Sequence, residues 1–323
     1  MEISNSKILV IGGAGLIGSH IVEELVQEDV GRLVIFDNFT RGKLENIEHV
    51  LQDERVECYE GDIAHVDVLD HVVRGVDYVF HLAALWLLHC HEFPRASFEV
   101  NIAGTFNVLE ACVKNNVKKL IYSSSASVYG DSLETPIMED HPYNNQTFYG
   151  ATKIAGEHMC RAFFHRYGLH YVGLRYMNVY GPRQDYKSTY TSVIMKVLDR
   201  IDLKKSPVVY GDGSQAYDFI HVRDVARANV CALKSSVTND FYNVGCGIKT
   251  TIKELVGLLL ELTGCNLEIQ YEPTGVTFVT NRVGSTNKAE SELNFKSEIG
   301  LKQGLVDTIR WRNQQTDTEI YPV

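Results

Sequence analysis

Tyr149 and Lys153 are the residues of this 323-residue sequence whose types and spacing most directly suggest chemistry. They open a predicted helix, Tyr149–Tyr167, four positions apart, which places both side chains on one helix face. A tyrosine is normally un-ionised at neutral pH, with a pKa near ~10. Because a neighbouring ammonium group stabilises the phenolate, the pair predicts a tyrosine that acts as an acid/base catalyst. A chance match on an exposed helix face is the alternative interpretation.

A run of serines ends a predicted strand upstream of this helix. Ser123, Ser124 and Ser125 follow Tyr122, and three hydroxyl groups at a strand end can bind a reacting oxygen. In an open α/β sheet, ligands lie at the carboxyl ends of the strands. The serines are therefore predicted to share a site with the tyrosine and the lysine.

A glycine-rich segment lies between the first predicted strand and the first predicted helix. Gly12, Gly15 and Gly18 form the pattern G-x-x-G-x-x-G. Glycine allows a tight turn and the close approach of a pyrophosphate, which then rests on the helix N-terminus. An ordinary turn between strand and helix remains the alternative.

Acidic residues after the second and third predicted strands favour a dinucleotide. Asp37 lies 19 positions beyond Gly18, where a carboxylate accepts both hydroxyls of an adenosine ribose and repels a 2′-phosphate. NAD is therefore expected rather than NADP. Arg41 is close enough to weaken that preference, although a solvated loop residue is the simpler interpretation. Asp62, next to Ile63, is a candidate contact to the adenine, with a helix N-cap as the alternative.

Strands and helices that alternate along the first half of the chain must position these residues. Nearly continuous apolar runs predict the strands Ile8–Ile11, Leu33–Phe36, Val56–Tyr59, Tyr78–Leu82, Leu120–Ser123 and Tyr171–Leu174. Amphipathic stretches predict the helices Leu16–Gln27, Asp67–Arg74, Phe98–Asn115 and Tyr149–Tyr167. The alternation predicts an α/β fold with a doubly wound parallel sheet, the Rossmann arrangement.

The pattern changes after Asn178, where turn-forming stretches replace the strict alternation. We predict a Rossmann domain that binds NAD over residues 1–177, with a returning segment at about 220–245. The remainder of 178–323 is predicted to form a smaller, mixed α/β lobe that binds the substrate. Phe241–Val244 is expected to rejoin the main sheet as a short strand.

Composition excludes several other classes of protein. With 45% hydrophobic and 22% charged residues, the chain is neither disordered nor fibrous. A net charge of −10 argues against a nucleic-acid surface, and no apolar run approaches the ~18 residues of a membrane span. The N-terminus leaves no room for a signal peptide, and seven scattered cysteines favour reduced thiols. We therefore expect a cytoplasmic protein without nucleic-acid or membrane partners.

Together these motifs resemble the extended short-chain dehydrogenase/reductases, specifically the NAD-dependent epimerase/dehydratase family that acts on nucleotide sugars. The resemblance covers nearly the whole chain and includes the segments 12–18, 81–84, 123–130, 149–153, 174–185, 211–213, 218–222 and 242–245. It implies that Tyr149 is the acid/base and that Lys153 lowers its pKa and holds the nicotinamide ribose. Ser125 is implied to hydrogen-bond the sugar hydroxyl.

The resemblance also implies the residues of two binding sites. The NAD site would comprise Gly12, Gly15, Leu16, Ile17, Gly18, Asp37, Asn38, Asp62, Ile63, Leu82, Ala83, Ala84, Asn101, Ser123, Tyr149, Lys153 and Met177. Candidate contacts to a nucleotide-diphosphate sugar are Trp86, Ser125, Asn178, Arg183, Tyr217 and Arg282, with Asn178 donating to the diphosphate.

No metal site is expected in the loop that contains Trp86. His89, Cys90 and His91 are adjacent in sequence and have no distant partner motif, which is poor geometry for tetrahedral coordination. Stacking of Trp86 on a sugar and hydrogen bonds from either histidine to sugar hydroxyls are the functional alternatives. Simple packing of the loop is the other interpretation.

The residues after Ser125 indicate the reaction class within the family. Ala126 and Ser127 stand where the family's 4,6-dehydratases carry Asp-Glu, and its decarboxylases carry Glu at position 127. The pattern thus resembles a 4-epimerase, in which Tyr149 takes the C4-hydroxyl proton while hydride passes to NAD⁺. The 4-keto sugar then turns over, and NADH returns hydride to the opposite face.

Two other functions remain open at this point. A C4 dehydrogenase or ketoreductase with a net redox change would use the same three residues. A dinucleotide-binding sensor or scaffold would not be an enzyme at all, but it would have no use for a phenolate base.

Three positions depart from the family pattern around the substrate diphosphate. Tyr217 stands where an arginine usually precedes Asp218, and Gly275 stands where a second arginine is usual. Phe278 replaces the acid that binds the ribose. An acidic protein that binds anionic ligands must therefore concentrate its cations elsewhere, because a tyrosine cannot replace the bidentate contacts of an arginine.

Arg282 is the leading candidate for a replacement cation. It occupies the position that sets pocket size in the family, and its charge is suited to a phosphate or a sugar carboxylate. Arg183 and Lys187 are further candidates. For all three, a solvated surface cation is the alternative.

The helical stretches Phe98–Val113 and Tyr149–Phe164 present apolar faces. The family commonly forms a homodimer through these two helices as a four-helix bundle, so a homodimer is expected. Packing against the sheet would explain the same pattern.

Overall fold

The computed structural model describes residues 3–186, 192–273 and 279–316. Its strands are β1 (Lys7–Ile11), β2 (Arg32–Asp37), β3 (Val56–Glu60), β4 (Tyr78–His81), β5 (Lys119–Ser125), β6 (His170–Tyr176), β7 (Asn178–Tyr180), β8 (Val208–Tyr210), β9 (Ala216–Tyr217), β10 (Phe219–His221), β11 (Asp240–Val244), β12 (Thr250–Thr251), β13 (Gln270–Glu272) and β14 (Asn281–Arg282).

The α-helices are α1 (Leu16–Val26), α2 (Val66–Val73), α3 (Leu87–Glu92), α4 (Pro94–Ser97), α5 (Thr105–Lys114), α6 (Phe148–Tyr167), α7 (Val193–Asp202), α8 (Val222–Lys234), α9 (Ile252–Thr263), α10 (Asn287–Leu293) and α11 (Leu301–Thr316). Two short 3₁₀ turns (Leu44–Asn46 and Ala126–Val128) and a π-helical segment (Phe98–Gly104) complete the helical structure of the described residues.

The main sheet has seven strands in the order β11-β6-β5-β4-β1-β2-β3, and every neighbouring pair is parallel. The chain starts at β1, proceeds to β3 on one side, and then returns to β4 on the other side. The predicted doubly wound sheet is therefore confirmed, and so is the return of Phe241–Val244 to it. The switch in direction places the ends of β1 and β4 side by side, where such sheets bind ligands.

Alternating strand residues fill two cores on opposite faces of this sheet. In β1, Ile8 and Val10 pack with residues of α1 and α8, whereas Leu9 and Ile11 pack with residues of α2, α5 and α6. Burial on both faces explains why the strands appear in the sequence as continuous apolar runs.

A third apolar cluster joins α7, α9 and α11 in the C-terminal part of the chain. Small sheets accompany it, one of which has the order β12-β9-β14. Within the described residues, no helix is long and apolar enough to cross a membrane. The boundary at residue 178 between two lobes stays a prediction.

The predicted helix Phe98–Asn115 differs from what the structure contains. Its first part, Phe98–Gly104, is π-helical, and regular α-helix begins only at Thr105. A π-helical turn places one extra residue in the turn, so it shifts the helix phase and is frequent at functional sites. Here the shift accompanies an inward-facing Asn101, which is buried.

Candidate active site

The glycine-rich loop is closed against the segment that follows β4. Gly12 has a φ of +81°, and a Cβ atom there would lie 2.8 Å from the backbone nitrogen of Ala83. A Cβ at Gly18 would lie 2.1 Å from the carbonyl oxygen of Gly12. Both positions therefore require glycine, and the backbone forms a cradle at the start of α1 that can approach a pyrophosphate closely. Gly15 is the N-cap of α1, and Leu16 and Ile17 are its first partly buried residues.

Asp37 lies at the end of β2 beside this loop. Its carboxylate accepts hydrogen bonds from the backbone amides of Ala14 and Phe39, each at 2.9 Å. Burial nevertheless raises its pKa above the usual value for aspartate, while these amide hydrogen bonds act in the opposite direction. A carboxylate held in this way suits the ribose role expected from the sequence.

Asp62 lies near this site, and Asn38 donates to it at 2.7 Å. The alternative that Asp62 is a helix N-cap is wrong, because His65 occupies the N-cap position of α2. The other carboxylate oxygen of Asp62 accepts from the amide of Ala64 at 2.8 Å, which forms a local turn ahead of the helix. Its neighbour Ile63 is buried.

Asn101 fixes the backbone just beyond β4. Its Oδ1 accepts from the amide of Leu85 at 2.7 Å, and its Nδ2 donates to the carbonyl of Leu85 at 3.0 Å and to Thr152 Oγ1 at 3.1 Å. The side chain is thus engaged by the protein itself. It positions the partly buried segment that contains Leu82, Ala83 and Ala84 between the glycine loop and α6.

Ser125, Tyr149 and Lys153 come together where β5 ends and α6 begins. Ser125 Oγ accepts from the amide of Ser127 at 3.1 Å, which leaves its own O–H free to donate to the Tyr149 phenol. Lys153 Nζ donates to the carbonyl oxygen of Ser123 at 2.6 Å and lies 5.7 Å from the centre of the Tyr149 ring. Thr147 caps α6 and sets the direction of its first turn.

The pKa of Tyr149 shifts in the direction opposite to the one expected from its lysine partner. Burial raises it to about 12, against smaller lowering effects of the Ser125 hydrogen bond, Arg282 and Arg41. Burial also lowers the pKa of Lys153 to about 8. The protein alone therefore keeps the phenol protonated at neutral pH, because the loss of hydration outweighs the nearby positive charges.

Residues of β5, of β6 and of the chain that directly follows β6 lie at the same edge of the sheet. Ser123 Oγ lies 3.0 Å from the Tyr176 hydroxyl, so its side chain is engaged within the sheet. Met177 is buried against Gly284, where a Cβ would lie 2.2 Å from the methionine Cε. Asn178 begins β7, its amide donates to the carbonyl of Asp218 at 2.9 Å, and its side chain is partly exposed.

Arg282 and Tyr217 are paired across the small sheet, since β14 and β9 run side by side with these residues in register. The Tyr217 hydroxyl donates to the carbonyl of Val279 at 3.0 Å. Arg282 lines a cavity together with Ser127, Asp131 and Thr147. Burial lowers the pKa of Arg282 to about 10, and its charge acts in turn on Tyr149.

Arg41 is exposed in a loop, as the sequence interpretation expected, but it also makes specific contacts. Its guanidinium lies 3.7 Å from the centre of the Trp86 ring and 3.6 Å from the carboxylate of Asp185. The indole nitrogen of Trp86 is buried without an acceptor. The stack links the loop after β2 to the loop after β4, a contact that no local sequence signal announces.

The structure does not bring every predicted residue to the site. Arg183 forms an ion pair with Glu23 of α1, so its charge is already compensated. Lys187, Gly275 and Phe278 lie outside the described residues. Cys90 Sγ lies 3.5 Å from the carbonyl oxygen of Leu85 and 3.5 Å from Asn101 Nδ2. These contacts agree with the interpretation that Cys90 serves the packing of the loop. In the described ranges no three His, Cys, Asp or Glu side chains are grouped to hold a metal ion.

A buried polar cluster supports the site from behind. Glu157 of α6 accepts from Ser124 at 2.5 Å and from two nitrogens of Arg175 at 2.9 and 2.7 Å. Arg175 also donates to the Tyr129 hydroxyl at 2.7 Å and to the carbonyl of Glu139 at 2.8 Å. This Glu157–Arg175 cluster fixes α6 to β5 and β6, and hence Tyr149 to Ser125.

Comparison with known proteins agrees with this geometry. The family model described as "NAD dependent epimerase/dehydratase family" matches residues 8–245. A "Putative UDP-glucose 4-epimerase" of Methanocaldococcus jannaschii is 36% identical over 314 residues, which covers 96% of this chain and 100% of the relative. The chain belongs to the NAD-dependent epimerase/dehydratase family of short-chain dehydrogenase/reductases.

Solved structures resemble the fold closely. A UDP-N-acetylglucosamine 4-epimerase from Methanobrevibacter ruminantium, in complex with UDP-N-acetylmuramic acid, is 33% identical with a TM-score of 0.91, covering 97% of this chain and 100% of its own. A UDP-glucuronic acid 4-epimerase from Bacillus cereus, in complex with UDP-glucuronic acid and NAD, is 27% identical with a TM-score of 0.89, covering 96% and 99%. NAD is the cofactor of the family, and the glycine cradle and Asp37 fit it.

Proposed function

We propose that this chain is a NAD-dependent nucleotide-sugar 4-epimerase. The observation that carries the proposal is the convergence of Ser125, Tyr149 and Lys153 beside the glycine cradle, with no carboxylate at positions 126 and 127. The named relatives and neighbours, which are described as UDP-sugar 4-epimerases, support the same reaction and favour UDP as the nucleotide.

The residues act on the C4 hydroxyl of the sugar. Ser125 holds this hydroxyl, and the Tyr149 phenolate takes its proton and later returns it. Hydride transfer to and from C4 would be supplied by bound NAD, whose positive ring would also favour the phenolate that burial alone suppresses. Lys153 adds positive charge close to the phenol and is placed by the carbonyl of Ser123. Inversion requires the 4-keto sugar to turn within the pocket before the proton and hydride return.

The residues proposed to hold NAD follow the loop geometry. The backbone from Gly12 to Gly18 would hold the pyrophosphate, and Asp37 the adenosine ribose, with Asn38, Asp62 and Ile63 near the adenine. The segment from Leu82 to Ala84, placed by Asn101, would pack beside the nicotinamide together with Ser123 and Met177. In this arrangement Trp86 and Asn178 lie on the substrate side.

The absence of acidic residues at positions 126 and 127 separates epimerisation from elimination. Loss of water from the sugar needs its own acid and base, and Ala126 and Ser127 offer neither. The amide of Ser127 instead orients Ser125. An enzyme that only moves a proton and a hydride on C4 needs no further catalytic group.

The proposal is tested by following product configuration and cofactor state together. Purified holoenzyme is incubated with UDP-hexoses and UDP-hexuronates, and proton NMR identifies the C4 epimer while absorbance follows NADH. An epimer without accumulation of NADH supports the proposal. Accumulated NADH without an epimer would assign a net dehydrogenase instead, and the absence of both would remove the enzymatic function.

We also propose that the protein is a homodimer formed through α5 and α6. Phe98, Phe106, Phe148 and Tyr167 are exposed on or beside these helices, and exposed apolar patches of this kind mark interaction surfaces. Light scattering coupled to size-exclusion chromatography should give twice the 36.4 kDa of one chain. A Phe106→Glu substitution should shift the mass towards a single chain. A cytoplasmic location remains a prediction from the sequence.

A further inference from the structure

Arg282 is a partly buried charged side chain that the described fold does not pair. Its Nε is buried without an acceptor, and the guanidinium group has no hydrogen bond or ion pair within the ranges that the structure describes. A desolvated charge is costly unless an opposite charge or a set of hydrogen bonds compensates it. Compensation of the Nε group and of the rest of the guanidinium is therefore left to water or to a ligand that enters the cavity.

The acidic side chain that lines the same cavity does not serve as this partner. Asp131 lines the same cavity, but its carboxylate accepts from the amide and hydroxyl of Thr280 at 2.8 and 2.9 Å and from the amide of Asn281 at 3.3 Å. It acts on Arg282 only through longer-range electrostatics, as do Tyr217 and Tyr149. The guanidinium fork is left available for an anion in the cavity.

The place of Arg282 indicates which part of a substrate it meets. The cavity that it lines is also lined by Ser127 and Thr147, each two positions from a residue that handles the reacting hydroxyl. Its charge also acts on the Tyr149 phenol. If C4 lies at Tyr149, as the proposed function requires, Arg282 lies at the sugar end of the substrate. The carbon next to C4 carries a carboxylate when the sugar is a uronic acid.

We propose that Arg282 binds a carboxylate on the sugar ring, and that the substrate class of this enzyme is therefore nucleotide-linked acidic sugars. The inference rests on the proposed function, because the position of the reacting carbon at Tyr149 places Arg282 at the sugar. Arginine suits a carboxylate because its planar fork makes two parallel hydrogen bonds.

Binding measurements on the holoenzyme test the proposal independently of turnover. Isothermal titration with UDP-glucuronic acid, UDP-glucose and UDP compares an acidic sugar, its neutral counterpart and the shared nucleotide. The wild-type protein should bind UDP-glucuronic acid about 30-fold more tightly than UDP-glucose, the difference expected for one charge-assisted contact. Equal affinity for the two sugars would overturn the proposal.

The variants Arg282→Gln and Arg282→Lys test whether the anion that Arg282 binds is the sugar carboxylate or the substrate diphosphate. Arg282→Gln should remove the preference for UDP-glucuronic acid and leave the affinities for UDP-glucose and UDP unchanged. An equal loss for all three ligands would assign Arg282 to the diphosphate and overturn the proposal. Arg282→Lys keeps the charge without the fork and should retain part of the preference, while the exposed Arg310→Gln should retain all of it.

Turnover measurements distinguish a failure of the proposed reaction from a failure of the proposed carboxylate site. Selective binding of the acidic sugar without formation of any C4 epimer would remove the proposed reaction but leave the carboxylate site in place. Epimerisation of UDP-glucose with a catalytic efficiency equal to that of UDP-glucuronic acid would leave the reaction in place and remove the carboxylate site. Because the wild-type comparison needs no substitution, the proposal remains falsifiable if Arg282→Gln does not fold.

Discussion

Two arginines of this protein lie in opposite electrostatic surroundings. Arg175, behind the active site, is almost fully buried and donates to Glu157, Tyr129 and the carbonyl of Glu139. Arg282, at the front of the site, has no such partner in the described structure. The pKa of Arg175 is raised by its acidic partner despite the opposing effect of burial, whereas burial lowers that of Arg282 to about 10.

Arg175 therefore holds parts of the fold together, whereas we assign the charge of Arg282 to a ligand. The Glu157–Arg175 cluster ties α6 to β5 and β6, so its hydrogen bonds are complete in the protein alone. Arg282 lies on the two-residue strand β14, and its guanidinium has no hydrogen bond or ion pair with any residue that the structure describes. Stability and recognition are thus assigned to different arginines, and four experiments test this contrast.

The largest effect on stability is expected from Glu157→Ala. The substitution leaves the Arg175 guanidinium buried without its carboxylate, which should lower the free energy of unfolding by about 3–5 kcal/mol. Urea denaturation measures the change. Glu261→Ala breaks a surface ion pair with Lys302 and should cost at most about 1 kcal/mol. Similar small losses in both variants would contradict a structural role for the cluster.

Tyr149→Phe should impair catalysis without changing the stability of the fold. Removal of the phenolic oxygen should lower the rate of epimerisation by about 10²-fold or more, while the urea midpoint stays close to that of the wild type. Tyr167→Phe, at the exposed end of α6, is the matched control and should keep full activity. Undiminished turnover in Tyr149→Phe would place the acid/base elsewhere.

His81 shows how the fold treats a buried group that has no charged partner. Burial lowers its pKa to about 3, so it stays neutral in the folded protein, with Nε2 3.0 Å from Thr105 Oγ1. Since the unfolded chain takes up a proton near pH 6.5 and the folded protein does not, stability is lost as the pH falls from about 6.5 towards 3. The loss due to this group should be about 1.4 kcal/mol per pH unit.

Unfolding measured between neutral and acid pH tests this contribution. His81→Gln should make the free energy of unfolding depend less steeply on pH, by the equivalent of about one proton. Substitution of the exposed His165 by glutamine should leave this pH dependence unchanged. Equal slopes for wild type and His81→Gln would show that His81 is protonated in the folded protein, and the contrast between paired and neutral buried groups would then fail.

The smallest effect is expected for the unliganded stability of Arg282→Gln. Because the fold gives this charge no partner, the free energy of unfolding should stay within about 1 kcal/mol of the wild type or rise. Arg175→Gln, measured in the same urea series, should instead destabilise the protein clearly. A marked loss in Arg282→Gln would mean that Arg282 has a structural partner.

The positions of the main strands along the chain and the glycine cradle could be predicted because both depend on local sequence. The continuous apolar runs marked all six of the predicted central strands, and Phe241–Val244 was expected in the sheet that it joins. The π-helical segment Phe98–Gly104 could not be predicted, because the hydrogen bonds of Asn101 to Leu85 and Thr152 join parts of the chain that are 16 and 51 residues apart.

Some features of the site could be predicted from the sequence, and others could not. The grouping of Ser125, Tyr149 and Lys153 followed from motif spacing, but the surroundings of the cations did not. Arg183 is paired with Glu23, and Arg41, although exposed as expected, stacks on Trp86. The contacts join residues 160 and 45 positions apart in the chain, so no local pattern encodes them.

Short-range spacing and glycine geometry were sufficient to predict the class of sheet, the cradle for a dinucleotide and the residues that we propose move a proton. The same short patterns do not contain the long-range contacts that compensate some charged side chains and leave others without a partner. That outcome depends on which side chains meet across the sheet and between its loops, and on how much water the packing removes from them. Arg175 and Arg282 are the same residue type, and the presence or absence of a partner within the described fold gives them different tasks.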